Sequence, residues 1–365
     1  MNHEKNLGSN ITICAVIVTY NRKELLLECL DGLLRQTRPI DALYIIDNCS
    51  SDNTPALLKE KNYISILPPS DLQNPWEEEF IIKNLTDKRL VRLHYVRMNK
   101  NIGGAGGFHE GVRRSYKRGY DWIWLMDDDA EPKVDALELL IPYTRNEKIS
   151  GISNLKVSLY GKPEYMHRGW KDICGINSKV IRPISDKDLT KTTVEIDHSS
   201  FVGLLISSEI IKKAGYPKAE LYIHFDDVEY SFRLREYGPI LLVTNSIIYH
   251  KDQANKSVKE IRFLSKPTYR IDYDSFWIKY FDLRNVIYLK RKECGEYIAF
   301  CSSINIFIRS FFGVLLFDDN KLRRIKLIMA AIIDAFCGSF DNNRPKNILY
   351  NSKAKSILRE NAKTK

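Results

Sequence analysis

Residues 11–22 read ITICAVIVTYNR. The first nine, Ile11 to Thr19, form an unbroken apolar run rich in β-branched side chains. Such a run reads as a strand buried on both faces, as in a parallel sheet. Tyr20, Asn21 and Arg22 make a turn, and Lys23 to Gln36 then places Leu26, Leu27, Leu30, Leu33 and Leu34 at helical spacing. Ala42 to Ile46 is a second strand. It closes in Asp47-Asn48-Cys49-Ser50-Ser51-Asp52, turn chemistry that leads into a helix with Pro55 near its first turn. Ile64 to Thr86, with Pro68, Pro69 and Pro75, reads as an irregular insertion. Val91 to Arg97 is a third strand, entering Asn101-Ile-Gly-Gly-Ala-Gly-Gly107, with a helix over roughly Phe108 to Arg118. Trp122 to Met126 is a fourth and stops at Asp127-Asp128-Asp129. Alternating strands and helices predict an open parallel α/β sheet of Rossmann type, with ligands at the carboxyl ends of its strands. Thr19 to Asn21, Asp47, Asn101 to Gly107 and Asp127 to Asp129 all fall at such ends.

The second half mixes shorter elements. Glu220 to Gly238 reads as strand, loop and helix, and Ile240 to Tyr249 as a strand ending at His250. From about Ser257 the chain turns helical, aromatic and basic, which sets a boundary between a catalytic domain over 1–256 and a helical region over 257–365. A 365-residue chain with 44% apolar residues can bury a substantial core. The net charge of +10 suits nucleic acid, an anionic membrane or phosphorylated small molecules. No nucleic-acid recognition motif is present, and acidic clusters at strand ends oppose that partner. The seven cysteines form no Cys-x-x-Cys pair, the pattern of a reduced cytosolic protein without disulfides. Met1 to Asn10 lacks the apolar core of a secretory signal. Tyr297 to Phe317 comes nearest to a membrane span, but Arg309 and several polar residues make it read as amphipathic or buried.

Three adjacent carboxylates repel one another, and no fold requires them for stability. They become useful when a hard divalent cation, Mg²⁺ or Mn²⁺, bridges carboxylates to a diphosphate. Asp226-Asp227-x-Glu229 opens a second helix, where the dipole keeps a carboxylate ionised and able to take a proton from a hydroxyl. Simple capping would need only one of the two aspartates. His250, closing an apolar strand, is either a structural histidine or a third metal ligand beside Asp127 and Asp129. The glycine loop lacks the Lys-Ser/Thr of a P-loop. Its glycines would permit either close backbone approach to a ligand or tight helix–sheet packing.

Together these residues resemble family 2 glycosyltransferases of the GT-A fold, over roughly residues 11 to 290. The likeness rests on Thr19-Tyr20-Asn21-Arg22, on Ile46-Asp47-Asn48-Cys49-Ser50-Ser51-Asp52 and on Met126-Asp127-Asp128-Asp129. Asn101 to Phe108 (NIGGAGGF), Phe225-Asp226-Asp227-Val228-Glu229-Tyr230 with Arg233, Tyr249-His250, and Tyr280-Phe281-Asp282-Leu283-Arg284-Asn285 bring it nearest to bacterial galactofuranosyltransferases and related rhamnosyltransferases. The resemblance implies a GT-A mixed sheet with a C-terminal helical region, and a UDP- or dTDP-sugar donor. It implies Asp127, Asp129 and His250 as ligands of Mn²⁺ or Mg²⁺. Thr19, Asn21, Arg22, Asp47, Asn101, Gly103, Gly104 and Asp128 would line the nucleotide-sugar site, with Asp47 on the base. Asp227 would be the general base, with Asp226 the alternative. Phe225 stands where galactofuranosyltransferases have Trp, and His198 to Gly203 (HSSFVG) replaces their paired-Trp acceptor platform.

The expected enzyme is an inverting hexosyltransferase acting on a lipid-linked or oligosaccharide acceptor. A galactofuranosyl donor leads, a rhamnosyl donor follows, and a nucleotidyltransferase is the non-transferase alternative. The tail carries Arg344, Lys346, Lys353, Lys355, Arg359, Lys363 and Lys365 against Glu360. A basic amphipathic end of this kind suits peripheral contact with the inner face of the plasma membrane. A homo-oligomer interface is the alternative use of the same helices.

Overall fold

The computed structural model describes residues 11–251, 258–263 and 266–350. The Met1 to Asn10 segment, the boundary near Ser257 and the basic tail from Lys353 onward lie outside them. The chain divides into two compact units. One comprises 1–170, 183–219 and 227–251, the other 171–182, 220–226 and 252–365. The second unit thus takes in two earlier segments that a single boundary near 257 leaves out.

The first unit is built on a ten-stranded sheet. Its strands are β1 (Ile13–Thr19), β2 (Ala42–Asp47), β3 (Trp76–Lys83), β4 (Leu90–Arg97), β5 (Trp122–Asp127), β6 (Ala130–Pro132) and β7 (Gly151–Ser158). β10 (Thr193–Ile196), β12 (Leu204–Ser207) and β13 (Ile240–His250) complete it, whereas the short β8 (Arg168–Lys171), β9 (Ile181–Pro183) and β11 (His198–Ser199) lie outside it. The order across the sheet is β10-β13-β7-β12-β5-β1-β2-β4-β3, with β6 added on β13. β1 runs parallel to β2 and β5, β2 to β4, and β13 to β7. β12 lies antiparallel between β5 and β7, so β13, β7, β5, β1, β2 and β4 all point one way. The sheet is therefore mixed, and its parallel strands deliver their carboxyl ends to one edge. Helices α1 (Lys23–Leu34), α2 (Thr54–Glu60), α3 (Gly103–Lys117), α4 (Ser208–Ala214) and α5 (Asp226–Arg235) connect them. Every residue of β1 and β2 is buried, as their apolar runs require.

Four expectations are corrected here. The insertion at 64–86 contains β3, an antiparallel edge strand on β4. Its run Glu77-Glu78-Glu79 hides the apolar pattern, because Glu77 pairs with Arg114 and Glu79 with Arg118. The glycine loop is not a turn before a helix but the first turns of α3 itself. An added Cβ at Gly107 would sit 2.5 Å from Val18 Cγ1, and one at Gly111 2.2 Å from Val16 Cγ1. Those two glycines let α3 lie against β1, as tight helix–sheet packing demands. No strand forms at 220–225. That segment is a 3₁₀ turn at Ala219–Leu221 followed by a loop. Finally, Cys174 and Cys294 form a disulfide across 120 residues, so the thiols are not all free. Spacing that long leaves no local signature.

The second unit begins its C-terminal part with a hairpin, β14 (Val258–Phe263) and β15 (Lys266–Ile271), where helix was expected. Helices α6 (Ile278–Cys294), α7 (Glu296–Phe317) and α8 (Lys321–Cys337) follow. Its core gathers Phe276, Tyr280, Phe281, Leu283, Leu327, Ile328 and Ala331. α7 contains Tyr297 to Phe317 and, of the two readings of that segment, excludes the buried one. It is long and apolar enough to cross a membrane by length and composition, and little of it is buried. Tyr297, Phe300, Ile304, Ile308, Phe312 and Leu316 are exposed at three- to four-residue spacing.

Candidate active site

Parallel register brings the acidic and polar strand ends together. Thr19 of β1 lies beside Asp47 of β2, and Val18 of β1 beside Asp127 of β5. After the triplet the chain reverses into β6, which pairs with the end of β13 so that Ala130 sits opposite His250. The Lys251 backbone N–H donates to the Asp129 carbonyl at 2.9 Å, closing the same corner.

The three carboxylates have different neighbours. Asp128, 4% exposed, accepts from the Thr19 hydroxyl at 2.8 Å, from the Tyr20 N–H at 3.4 Å and from Arg22 Nη1 at 3.3 Å. Asp129, 7% exposed, accepts from Arg22 Nη1 on Oδ2 at 2.6 Å. Its Oδ1 is buried without a hydrogen-bond partner and faces His250 Nε2 at 3.4 Å. Burial, with the charges of Asp129 and Asp128, pushes Asp127 up to about 7. Burial raises Asp128 to about 6 against the pull of Arg22. Burial also works against ionisation of Asp129, but His250 and Arg22 outweigh it and hold that carboxyl below its usual range. His250 is raised despite burial, because Asp129 favours its charged form.

The triplet is thus a buried concentration of negative charge that Arg22, His250 and Lys156 partly offset. Among the described residues no three of His, Cys, Asp and Glu close on a single point as a ready-made metal cage. The donors nevertheless fit a hard cation. A buried carboxylate oxygen lacking a hydrogen bond faces an imidazole nitrogen, and Asp127 adds charge. A cation there would take Asp129 and His250, with its other positions open to a ligand's oxygens.

These shifts carry a pH signature. The unfolded chain releases carboxyl protons near pH 4, whereas native Asp127 holds its proton to about 7 and Asp128 to about 6. His250 has the same sign, since its native protonated form is favoured. Asp129 has the opposite sign, but acts only below the usual carboxylate range. Below about pH 6.5, His167 and the buried His198, held below the usual imidazole range, act in the opposite sense, so the net loss of stability falls between about pH 6.5 and 8. In EDTA, the melting temperature is expected to fall across that window, and Mn²⁺ is expected to flatten the fall. A flat or rising profile in EDTA contradicts these assignments.

The nucleotide-site candidates are held as a framework. Asp47 is fully buried and accepts from Tyr95 Oη and Arg97 Nη1, each at 2.6 Å, and from the Ser50 N–H at 2.8 Å. Its carboxylate braces the loop after β2, which sequence alone does not indicate. Asn21, in the left-handed region at φ 56°, accepts from the Ser51 N–H at 2.6 Å. Asn101 Oδ1 accepts from the Gly103 N–H at 2.8 Å, and Gly103 and Gly104 form the start of α3.

Asp226 is the buried first residue of α5, and Asp227 follows it. Asp227 Oδ1 accepts from the Val228 N–H at 2.8 Å. The charge of Asp227 reaches Arg168 and His198. Arg168 is fully buried and also feels Glu164, the carboxylate behind His250. Asp227 and the Asp129–His250 corner therefore share a neighbour. Burial lowers Arg168 to about 9 and His198 to about 4. The tie is structural as well: Ser199 of β11 receives the Ser231 hydroxyl of α5 on its carbonyl at 3.0 Å, and Ser199 pairs with Arg168 of β8. Sequence reasoning passed over Lys156, Glu164, Arg168 and the electrostatic link to His198. The one available signal was the polar content of β7, GISNLKVS, in a buried strand.

Within the second unit the turn that leads to α5 is strained. Tyr222, His224 and Phe225 all have positive φ, at 68°, 65° and 63°. Such conformations cost of order 1–3 kcal/mol each and persist only when surroundings enforce them. Asn285 Nδ2 donates to the carbonyls of Leu221, Ile223 and His224 at 3.0, 3.1 and 2.8 Å. Arg284 Nη2 holds Glu220 and Leu221 at 3.1 Å. Asn285→Ala is expected to destabilise the protein by about 2–4 kcal/mol, because it removes from a fully buried amide the three hydrogen bonds that enforce the turn and leaves a cavity in its place. Chemical denaturation measures it, and a loss under ~0.5 kcal/mol removes the clamp role.

Comparison with known proteins matches this architecture. Residues 14–67 and 77–203 match the family described as Glycosyl transferase family 2. The galactofuranosyltransferase GlfT1 of Mycolicibacterium smegmatis is 27% identical over 232 residues, covering 62% of this chain and 66% of that protein. The dTDP-rhamnosyl transferase RfbF of Shigella flexneri is 24% identical over 338 residues, covering 90% of this chain and 97% of its own length. The crystal structure of GalNAc-T7 with UDP, GalNAc and Mn²⁺ superposes with a TM-score of 0.52 at 13% identity, over 92% of this chain and 58% of that one. The fold is that of a GT-A glycosyltransferase. The chain belongs to glycosyl transferase family 2.

Proposed function

We propose that the protein is an inverting glycosyltransferase that moves a galactofuranosyl group from UDP-galactofuranose to a hydroxyl of a lipid-linked or oligosaccharide acceptor. The observation that carries the reading is the buried, unbonded Asp129 Oδ1 facing His250 at the sheet edge where the strand ends converge. In this reading Asp227 takes the acceptor hydroxyl's proton. The freed oxygen attacks the anomeric carbon from the face opposite the diphosphate, and the carbon–oxygen bond to the nucleotide breaks, so the configuration inverts. Asp129 and His250 would hold Mn²⁺ or Mg²⁺, with Asp127 adding charge. When bound, such an ion supplies electrostatic stabilisation of the departing diphosphate. Arg22, half exposed and paired with Asp129, would reach the same oxygens.

The likeness to GlfT1 supports the galactofuranosyl donor. A dTDP-rhamnose donor is the second reading, favoured by the near full-length match to RfbF. The test is mass spectrometry of product after incubation with a panel of nucleotide sugars and Mn²⁺. A galactofuranosyl adduct is expected, a rhamnosyl adduct selects the second reading, and nucleotidyl transfer removes both.

The exposed apolar stripe of α7, with Arg309, Lys321 and Lys326 exposed on α7 and α8, supports contact with an anionic bilayer. Co-sedimentation with anionic liposomes at low salt is expected, weakening in Phe300→Asp and Phe312→Asp. A protein that stays in the supernatant contradicts the membrane contact.

A further inference from the structure

We propose that Glu164 is a positioning residue that fixes the tautomer and orientation of His250, so that Nε2 is presented toward Asp129 as a cation ligand. This inference rests on the reading of Asp129 and His250 as a cation seat.

His250 Nδ1 lies 3.3 Å from Glu164 Oε1 and 3.3 Å from Oε2, while Nε2 faces Asp129 Oδ1 at 3.4 Å. A neutral imidazole has one N–H and one lone pair. A carboxylate behind Nδ1 keeps the proton there and leaves the Nε2 lone pair on the Asp129 side. Carboxylate partners of this kind orient metal-ligating histidines widely.

The fold holds Glu164 from two directions. Its backbone N–H donates to the Lys156 carbonyl at 3.0 Å. The Lys156 ammonium, on a residue only 2% exposed, pairs with Glu164 Oε2 at 3.2 Å. A buried ammonium is costly unless paired, so Lys156 and Glu164 require each other. The pairing also neutralises Glu164, which therefore adds little net charge beside the aspartate triplet. β13 and β7 run parallel with His250 opposite Ser158, which sets Lys156 and its partner behind the imidazole. His167 Nε2, at 3.5 Å from the same Oε2, lies on the remaining side, its ring 6.2 Å from that of His250.

Removing Glu164 alone would strand Lys156, so the test replaces the pair. Replacing a buried ion pair with apolar groups of similar volume is close to neutral in stability. K156M/E164M and K156M/E164Q share the lysine change and differ in whether position 164 offers an acceptor oxygen to Nδ1–H. Mn²⁺ affinity is measured in the presence of UDP from the free-ion EPR signal, with the melting temperature as a check on folding. K156M/E164M is expected to bind Mn²⁺ about 10- to 100-fold more weakly than K156M/E164Q. In a His250→Ala background the two are expected to bind alike. Equal affinity of the two double variants with His250 present overturns the proposal, as does a difference that persists without His250. If His250→Ala itself binds Mn²⁺ like wild type, the cation-seat reading fails, a result separate from failure of the Glu164 role.

Discussion

Asp227→Asn is expected to slow sugar transfer by about 10²-fold or more, the range for removing general acid–base catalysis. The substitution preserves shape. The amide oxygen can still accept from the Val228 N–H, as Asp227 Oδ1 does at 2.8 Å. What it removes is the basic lone pair and the charge that Arg168 and His198 feel. The loss should therefore appear in kcat at saturating donor, with nucleotide binding retained. Asp226→Asn should be milder, since Asp226 is the buried first residue of the helix. Initial rates within about threefold of wild type for Asp227→Asn would assign the base elsewhere.

Asp129→Asn is the second large effect, expected at about 10²–10³-fold in turnover, comparable to losing one preorganised electrostatic contact to a developing charge. Asp129 is singled out by its unsatisfied oxygen toward His250. Asp128 is tied instead to Thr19, Tyr20 and Arg22, so Asp128→Asn should act more through loop order than through the cation. The contrast between two adjacent aspartates is measurable as Mn²⁺ dependence of the rate. Equal losses in both variants would mean that the triplet acts only as a bulk charge.

The frame of this molecule was legible because strands buried on both faces leave long apolar runs. β1, β2 and β5 announce themselves in this way, and each stops at a polar residue that parallel register carries to one edge. The triplet and Asp227 stand out in the sequence because adjacent carboxylates have no structural excuse. What stayed hidden depended on partners remote in sequence. β3 was masked by Glu77 to Glu79, whose partners Arg114 and Arg118 lie on and just beyond α3. The glycines of α3 read equally as a ligand loop until Val16 and Val18 were seen against them. Asp47 looked available for a nucleotide base, whereas Tyr95 and Arg97 engage it from the neighbouring strand. Glu164 and Lys156 gave no motif at all, since their meaning comes only from the ends of β7 and β13 lying side by side.

The most direct test of the cation seat is calorimetry of UDP binding with and without Mn²⁺, in wild type and in Asp129→Asn. Wild type should bind UDP at least tenfold more tightly with Mn²⁺ present, and Asp129→Asn should lose that enhancement. UDP affinity indifferent to Mn²⁺ in wild type, or an enhancement untouched by the substitution, would contradict the site described here.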